Sequence, residues 1–128
     1  MTFSKHYTLD EARSTLEEIR GLITEMVGLK HSLTEKGYDV FRHQYFGGHG
    51  PNGQKYFPNE MERLVEIVKE LSVRGIEIKD IDKGLIDFPH IRSNGEEVYL
   101  CYMHGETEIV AWHPLEGGFG SRRSLDEL

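Results

Sequence analysis

Carboxylate and imidazole side chains are concentrated in the second half of the sequence. Such oxygen and nitrogen donors are ligands for Zn²⁺, Mn²⁺ and Mg²⁺. The residues concerned are Asp80, Asp82, Asp87, His104, Glu106, Glu108 and His113. Their spacing matches no known metal motif, so no metal site is predicted from it. Asp82, His104, Glu106 and Glu108 remain weak metal candidates, and no cofactor is predicted.

Asp87 has the most unusual predicted surroundings of this group, because apolar residues flank it within a strand candidate. A buried carboxylate must be paired or hydrogen-bonded, or its pKa rises. One interpretation is structural, with a hydrogen bond to Tyr102, backbone amides or an arginine. The other makes Asp87 a general base or binding anchor, with Arg122 or Arg123 holding an anionic ligand. The ligand-binding candidates are Asp87, Tyr102, His113 and Arg122.

Two other segments could carry chemistry but lack the required pattern. Gly53-Gln54-Lys55 does not place Gly and Lys next to each other as a phosphate loop does, and no strand candidate precedes it. A surface loop is expected there, with weak metal capture by His43 and His49 as the alternative. Cys101, the single cysteine, lies in an apolar run with no evident activating partner. It is expected to act as a small hydrophobe.

Two amphipathic helices must position these residues from the first half of the chain. Thr8 and Glu11 have the spacing of a capping box, and apolar residues then recur every three or four positions. After a Gly-rich loop, Pro58 marks the start of a second helix that ends near Gly75. The pattern predicts a long antiparallel helical hairpin over about residues 8–74.

A β-meander is predicted over about residues 76–113, followed by a C-terminal tail, 114–128. Asn94-Gly95 lies between two strand candidates and is typical of a two-residue hairpin turn. The strand candidates are 85–92, 97–104 and 108–113, with a possible edge strand at 76–79. The expected fold is one α+β domain, 1–128, in which the helical hairpin packs on a three- to four-stranded antiparallel β-meander.

The turn at Asn94-Gly95 fixes which side chains share a face of the predicted sheet. It places Asp87 opposite Tyr102, and a second two-residue turn at Gly105-Glu106 places His113 on the same face. Asp87 and His113 are then about four residues apart along the strands, on the order of 13 Å, which is too far for one ion. The opposite face is predicted to be apolar and to include Phe88, His90, Tyr99, Cys101, Val110 and Trp112.

That apolar face needs a cover, because one helical hairpin can shield only one side of a sheet. A symmetric homodimer is the favoured cover. The alternatives are the tail, through Leu115, Phe119 and Leu125, and a ligand. The interface candidates are Phe88, His90, Tyr99, Val110 and Trp112.

Length and charge exclude several classes of protein. A chain of 128 residues has the size of one domain. Its net charge of −7 repels nucleic acid and anionic lipid, so neither is an expected partner. No window approaches the roughly 20 apolar residues of a membrane span. The N-terminus has no apolar signal region, and a single cysteine fits a reducing compartment, so a cytoplasmic location is expected.

Much of the chain resembles an uncharacterised prokaryotic family known as domain of unknown function 2203. The resemblance is carried by the opening Phe3-Ser4-Lys5-His6-Tyr7-Thr8-Leu9-Asp10-Glu11-Ala12, by residues 79–89, and by Leu100-Cys101-Tyr102, Gly105-Glu106, Glu108-Ile109, Trp112-His113 and 118–122. It implies a bacterial or archaeal protein and brings no activity. Tyr102 stands where the family more often has tryptophan, and the insert 47–53 departs from the family pattern.

The sequence supports two hypotheses about function. The leading hypothesis is a non-enzymatic interaction or structural module that self-associates, since no catalytic set is recognisable. The alternative is a small-molecule-binding or metal-dependent hydrolytic protein that uses the Asp80–Asp87 segment, His113 and Arg122.

Overall fold

The chain folds into two helices and a five-stranded antiparallel sheet, which confirms the α+β class. The computed structural model describes residues 3, 5–42, 44–45 and 58–128. The elements are α1 (Leu9–Glu35), β1 (Tyr38–Asp39), β2 (Gln44–Tyr45), α2 (Asn59–Val73), β3 (Glu77–Asp80), β4 (Leu85–Ile91), β5 (Glu97–Met103), β6 (Ala111–Pro114) and β7 (Arg123–Ser124). The predicted loop 47–53 and the metal candidates His43 and His49 lie outside the described residues.

Helix α1 begins at the predicted capping box. The Glu11 backbone N–H donates to the Thr8 hydroxyl at 3.0 Å, and the Thr8 N–H donates to the Glu11 carboxylate at 2.9 Å. The helix continues through Gly28 and ends before Gly37, whose φ of +78° glycine adopts without strain. Neither helix in the described part of the chain is long and apolar enough to cross a membrane.

Both helices contribute buried side chains to the same hydrophobic cluster as the sheet. Ile19, Ile23 and Met26 of α1 are fully buried, as is Leu71 of α2. Ion pairs also join the helices. The Arg63 guanidinium contacts Glu25 at 2.6 Å, and Arg74 contacts Glu18 at 3.4 Å.

The sheet has the order β3-β4-β5-β6-β7, so the predicted count of three to four strands was one short. The additional strand is β7, which the tail contributes by pairing Ser124 with Ala111 and Arg123 with Trp112. The third predicted strand also begins later than expected. Arg13 from α1 donates to the Ile109 carbonyl at 3.2 Å, and pairing with β5 starts only at Ala111.

The predicted register of the first hairpin was wrong by one residue. The Arg92 N–H donates to the Glu96 carbonyl at 2.8 Å, and Gly95 has a φ of +90°. The connection is therefore a three-residue loop, Ser93 to Gly95, with glycine in the left-handed conformation rather than a two-residue turn. Asp87 pairs with Cys101 instead of Tyr102.

A one-residue shift moves side chains to the other face of a strand, so Tyr99 and Trp112 do not share the apolar face predicted for them. One face, here called the core face, belongs to the hydrophobic cluster shared with the helices: Ile86, Phe88, Val98, Leu100, Tyr102 and Trp112. The other, here called the second face, carries Leu85, Asp87, Pro89, Tyr99, Cys101, Ala111 and His113. Tyr99 and Trp112 are thus on opposite sides of the sheet.

The segment before α1 lies along β4 where β3 has ended. The Tyr7 N–H donates to the Pro89 carbonyl at 2.7 Å, and the Tyr7 ring meets the Phe88 ring edge-on at 5.2 Å. The nitrogen and carbonyl of a strand residue point the same way, so the missing N–H of Pro89 costs no bond to β5. Proline is therefore tolerated in an interior strand at this position.

Candidate functional site

Three chemistry-bearing side chains from three neighbouring strands meet on the second face. Asp87 is directly opposite Cys101, and Cys101 is opposite Ala111 on β6. His113 lies two residues beyond Ala111 on the same face, opposite Tyr99. One donor atom from each of Asp87, Cys101 and His113 lies within 4.8 Å of the other two. These three residues are called the cluster below.

The distance between Asp87 and His113 is the main correction to the sequence-based geometry. The Nε2 atom of His113 lies 2.9 Å from Oδ2 of Asp87, where the predicted register separated the residues by four positions. Both hairpins are shifted by one residue relative to that prediction, and the shifts bring the two side chains together across β5.

The hydrogen bonds of His113 identify which ring nitrogen carries a proton. Nδ1 lies 2.8 Å from the Pro114 carbonyl, which can only accept, so Nδ1 donates. Nε2 then faces Asp87 either as a second donor or as a lone pair. Burial lowers the pKa of His113, but the bonds to Asp87 and to the Pro114 carbonyl outweigh it, so the net shift is upward. This upward shift of the His113 pKa favours the form in which Nε2 donates to Oδ2 of Asp87 in the metal-free protein.

Cys101 is a protonated thiol in these surroundings. Burial and, after it, the charge of Asp87 raise its pKa to about 12, although the Arg122 guanidinium acts in the opposite direction. Without a cation this thiol is not a nucleophile, because the reactive species is the thiolate. Its expected role as a buried small side chain was correct as far as burial goes, but its neighbours include two ionisable groups.

The second oxygen of Asp87 has an unmet hydrogen-bonding capacity. Oδ1 is buried and makes no hydrogen bond of regular geometry among the described residues, although a hydrogen bond with Asp87 is among the causes that raise the pKa of the Cys101 thiol. Orphaned buried carboxylate oxygens are rare, because desolvation without a partner costs free energy. The thiol of Cys101 is only a weak donor, so a cation would satisfy this oxygen more fully.

Arg122 covers the Cys101 side of the cluster from the C-terminal segment. Its Nη2 donates to both carboxylate oxygens of Glu106, at 3.0 and 2.9 Å, and lies 3.5 Å from the Cys101 carbonyl. The guanidinium also stacks over the Phe119 ring at 4.8 Å. Arg122 therefore lies at the sheet with Glu106, and not Asp87, as its ion-pair partner, and its role in holding an anionic ligand stays a prediction.

Tyr99 flanks the opposite side of the cluster. Its ring centroid is 5.3 Å from that of His113 and 5.4 Å from that of Phe3. The Tyr99 hydroxyl donates to Glu77 at 2.6 Å, and burial together with that carboxylate raises the pKa of Tyr99. The Lys79 ammonium lies over the same ring at 4.4 Å. These contacts therefore hold the Tyr99 ring in place beside His113.

Most of the other sequence candidates are dispersed. Tyr102 is on the core face, where Arg20 donates to its hydroxyl at 3.3 Å. Asp82 pairs with Lys30 at 3.0 Å, and Glu108 pairs with Arg13 at 3.1 Å. His104 contacts Thr24 at 3.3 Å, and Asp80 accepts from the Lys83 N–H at 3.2 Å. In the described part of the chain, the cluster is the group of His, Cys, Asp and Glu residues with metal-binding geometry.

The interface candidates occupy different places as well. Phe88 and Trp112 are core residues, and Trp112 donates its indole N–H to the Ser124 carbonyl at 3.0 Å. His90 contacts the Tyr7 carbonyl at 2.6 Å, and Val110 is exposed. Together with Tyr99 on the second face, these residues do not form one surface.

Sequence reasoning missed Cys101 as a member of the cluster. The signal that could have included it is Ser93-Asn94-Gly95, which also suits a three-residue loop with glycine last. That loop would have put Asp87 beside Cys101.

The donor set suits a divalent transition metal. Carboxylate, thiolate and neutral imidazole are all zinc ligands, and three protein ligands with an open fourth position recur in zinc proteins. The Nδ1 bond from His113 to a backbone carbonyl is also the usual way of orienting a metal-binding imidazole. Ligand atoms around tetrahedral zinc are roughly 3.5 Å apart. The observed spacing, up to 4.8 Å with one pair at 2.9 Å, requires only small side-chain movements.

Comparison with known proteins gives a family and no activity. A family model described as "Uncharacterized conserved protein (DUF2203)" matches residues 5–125, which include the whole cluster and Arg122. No curated protein and no solved structure matches the chain.

Proposed function

The chain belongs to the uncharacterized conserved protein family DUF2203, and we propose that it binds one divalent transition-metal ion through Asp87, Cys101 and His113. The observation that carries this proposal is the convergence of three donor atoms within 4.8 Å, beside a buried carboxylate oxygen that makes no regular hydrogen bond with the described residues. A buried polar cluster that served only to hold the strands together would be expected to satisfy that oxygen.

The donor types favour Zn²⁺, with Co²⁺ as a spectroscopic substitute, over Mg²⁺ or Ca²⁺. A thiolate is a soft ligand that selects zinc, copper or iron, whereas magnesium and calcium prefer sites built from oxygen. The cluster offers one thiolate, one imidazole and one carboxylate, and a donor set that contains a thiolate suits zinc better than magnesium or calcium.

Charge balance supports the same conclusion. The metal-free cluster holds one proton between His113 and Asp87 and one on the Cys101 thiol, so its net charge is zero. A divalent cation would displace the Nε2 proton and the thiol proton, and the charge of the buried site would stay at zero. Metal binding should therefore release about two protons near neutral pH.

The test uses the fact that the chain has one cysteine. Co²⁺ bound to a thiolate has a sulfur-to-metal charge-transfer absorption in the near ultraviolet, and in this protein only Cys101 can supply it. Titration of metal-free protein with Co²⁺ should give this band at one equivalent. Cys101→Ser should abolish it, and Asp87→Asn and His113→Gln should weaken binding by a factor of ten to a hundred or more.

The control for these variants is His31→Gln, because His31 is an exposed imidazole paired with Glu35 on α1. It should bind Co²⁺ like the wild-type protein. Calorimetric titration with Zn²⁺ in buffers of different ionisation enthalpy should report the two released protons. Absence of the charge-transfer band in the folded wild-type protein would sink the proposal.

A hydrolytic role for this metal is the weaker alternative. Asp87, Cys101 and His113 are 1%, 0% and 2% exposed, so a substrate could reach the ion only after the cover moves. That burial supports a binding, structural or sensing role over catalysis. Activity remains a prediction that needs a substrate screen of the metal-loaded protein.

Self-association remains a prediction with less support than before. Its premise was an uncovered apolar sheet face, whereas Tyr99, Cys101 and Ala111 on the second face are all buried within the single chain. Light scattering at high micromolar concentration would identify a homodimer directly.

The proposal also covers the arrangement of the helices, the cellular location and the source of the protein. We propose that the helices form an antiparallel hairpin packed on the core face, which the Arg74–Glu18 and Lys36–Glu60 ion pairs support because they join opposite ends of the two helices. The free thiol of Cys101 supports a cytoplasmic location. A prokaryotic source is the expectation from the sequence resemblance.

A further inference from the structure

The cluster cannot exchange a metal ion with solvent unless part of its cover opens. All three proposed ligands are almost completely buried, and they lie on the sheet face that does not belong to the hydrophobic cluster of the helices. The parts of the chain seen to cover this face include Phe3 beside Tyr99 and the C-terminal segment that carries Arg122. These two are the candidate entrances in the described part of the chain.

We propose that the Glu106–Arg122 ion pair is a latch that controls access to the cluster. The proposal adds a means of regulation to the metal site and in that respect rests on the proposed function. Arg122 donates to both oxygens of Glu106, lies 3.5 Å from the Cys101 carbonyl and acts electrostatically on the thiol, so its release would loosen the turn next to Cys101. The pair is 16% and 19% exposed, and solvent can therefore reach it.

The turn between β6 and β7 carries Arg122 and is the weakly held part of the C-terminal segment, because its backbone hydrogen bonds lie within the turn itself. After this turn the segment is anchored by the Trp112 bond to the Ser124 carbonyl, by Arg92 bonds to the Glu127 and Leu128 carbonyls, and by Leu125 and Leu128, which pack against the core. Its ladder is β7, which consists of two residues, and the turn before it is a three-residue 3-10 helix, Phe119–Ser121. Gly118 and Gly120 on either side of Phe119 leave the backbone there easy to rotate. A turn with so few contacts outside itself opens locally at low cost in free energy, and the residues after β7 need not leave the sheet.

An unsatisfied hydrogen-bond donor of Arg122 favours its release from Glu106. Its Nε is buried without a hydrogen-bond partner among the described residues, and opening would return that donor to water. For the turn between β6 and β7, the ion pair with Glu106 is therefore the main polar contact that opposes opening, while the residues after β7 stay anchored by Arg92. The covering residue Phe3 differs, because its segment is tied to the sheet through the Tyr7 bond to Pro89 and the His6 pair with Glu97.

Glu106→Gln isolates the latch from other functions of residue 106. The amide oxygen can still accept the Met103 N–H, which the carboxylate binds at 2.7 Å, while the negative charge and one acceptor for Arg122 are lost. None of the proposed metal ligands is changed. The matched control is Glu108→Gln, because Glu108 lies in the same connection between β5 and β6. This substitution removes the 3.1 Å ion pair with Arg13 of α1 and leaves the contacts of Arg122 unchanged.

Two rates should reveal the latch. The first is the reaction of Cys101 with a small neutral thiol reagent in the metal-free protein, which requires opening but no metal. The second is the loss of the thiolate–Co²⁺ band after addition of excess chelator. Glu106→Gln should accelerate both on the order of tenfold, the factor expected for a lost charge-assisted pair, while Glu108→Gln should match the wild type.

The equilibrium affinity separates a latch from a structural effect. A latch that closes over both the metal-free and the metal-loaded cluster changes association and dissociation alike, so the Kd for Co²⁺ should stay within about twofold. Phe119→Ala should act in the same direction, because the half-exposed Phe119 ring supports Arg122 and its removal leaves the core intact.

The outcomes distinguish this proposal from the metal site itself. If wild-type protein shows no thiolate–Co²⁺ band, the proposed function fails, and the thiol-reagent rates alone decide the latch. If Glu106→Gln and Phe119→Ala react with the reagent at the wild-type rate, the latch is overturned even where Co²⁺ binds. A Kd weakened tenfold with unchanged rates of thiol modification would likewise contradict it.

Discussion

The imidazole of His113 reaches across β5 to the carboxylate of Asp87, with Nε2 and Oδ2 2.9 Å apart and both side chains buried. This contact joins β4 to β6, two strands that share no ladder hydrogen bonds. A buried pair of this kind contributes little net free energy, but removal of one partner leaves an uncompensated charge. The stability of the sheet should therefore depend on the protonation of His113.

The free energy of unfolding should fall as pH rises through the folded-state pKa of His113. That pKa is raised above the value of about 6.5 expected in the unfolded chain. The added stability is then fully present below about pH 6.5 and is lost above the folded-state pKa. Urea denaturation of metal-free protein at several pH values should show this decrease in the wild type but not in His113→Gln. Identical pH profiles for the two proteins would contradict the assignment, and His31→Gln should follow the wild type.

Cys101 should produce a separate loss of stability under alkaline conditions. Its pKa is about 12 in the folded protein and about 8.5 in an unfolded chain. The unfolded state therefore loses the thiol proton first, and stability declines as pH rises above about 8.5. Cys101→Ser should lack this component, although tyrosine ionisation affects both proteins. The difference between their urea midpoints from pH 7 to pH 10 measures it, and a constant difference would rule out the raised pKa.

Two glycines with positive φ should differ in how well they tolerate alanine. A Cβ atom on Gly84 would lie 2.5 Å from the His104 Cβ and 2.9 Å from a Val27 methyl, whereas one on Gly95 would meet nothing within 4 Å. Gly95→Ala should cost about 1 kcal/mol through backbone strain alone. Gly84→Ala should cost roughly 3 kcal/mol or more, because overpacking adds to the strain. Equal losses in chemical denaturation would argue against the close packing of α1 on the turn before β4.

Zinc should stabilise the protein through the cluster. A ligand that binds only the folded state raises the free energy of unfolding by about 2.7 kcal/mol at one hundred times its Kd. Thermal unfolding with and without Zn²⁺ should show this increase in the wild type and in Glu108→Gln, but not in Cys101→Ser. An equal increase in all three would place the bound zinc elsewhere in the chain.

The helices and the strand segments could be predicted because their signals are local. The capping box of Thr8 and Glu11 and the apolar periodicity that follows it determine α1 without reference to the rest of the chain. Strand β7 could not be predicted in this way. Arg123 and Ser124 have no strand pattern of their own, and they pair only because Trp112 and Ala111 present an open edge.

The cluster could not be assembled from the sequence, because it depends on two registers at once. Asn94-Gly95 suits a two-residue turn and also the end of a three-residue loop, and the two options place opposite side chains on a given face. The choice between them moved Cys101 from one face to the other. Asp87, His113 and Arg122 were identified as candidates from residue type and surroundings, but the distances between them required the structure.

The bond between Tyr7 and Pro89 also protects the protein against aggregation. Beyond the end of β3, the edge of β4 would present free backbone groups to a strand of another molecule. The Tyr7 N–H donates to the Pro89 carbonyl at 2.7 Å, and proline itself has no N–H that could pair with another strand. A chain that lacks residues 1–7 would expose this edge, and it should form light-scattering assemblies at concentrations where the full chain stays clear.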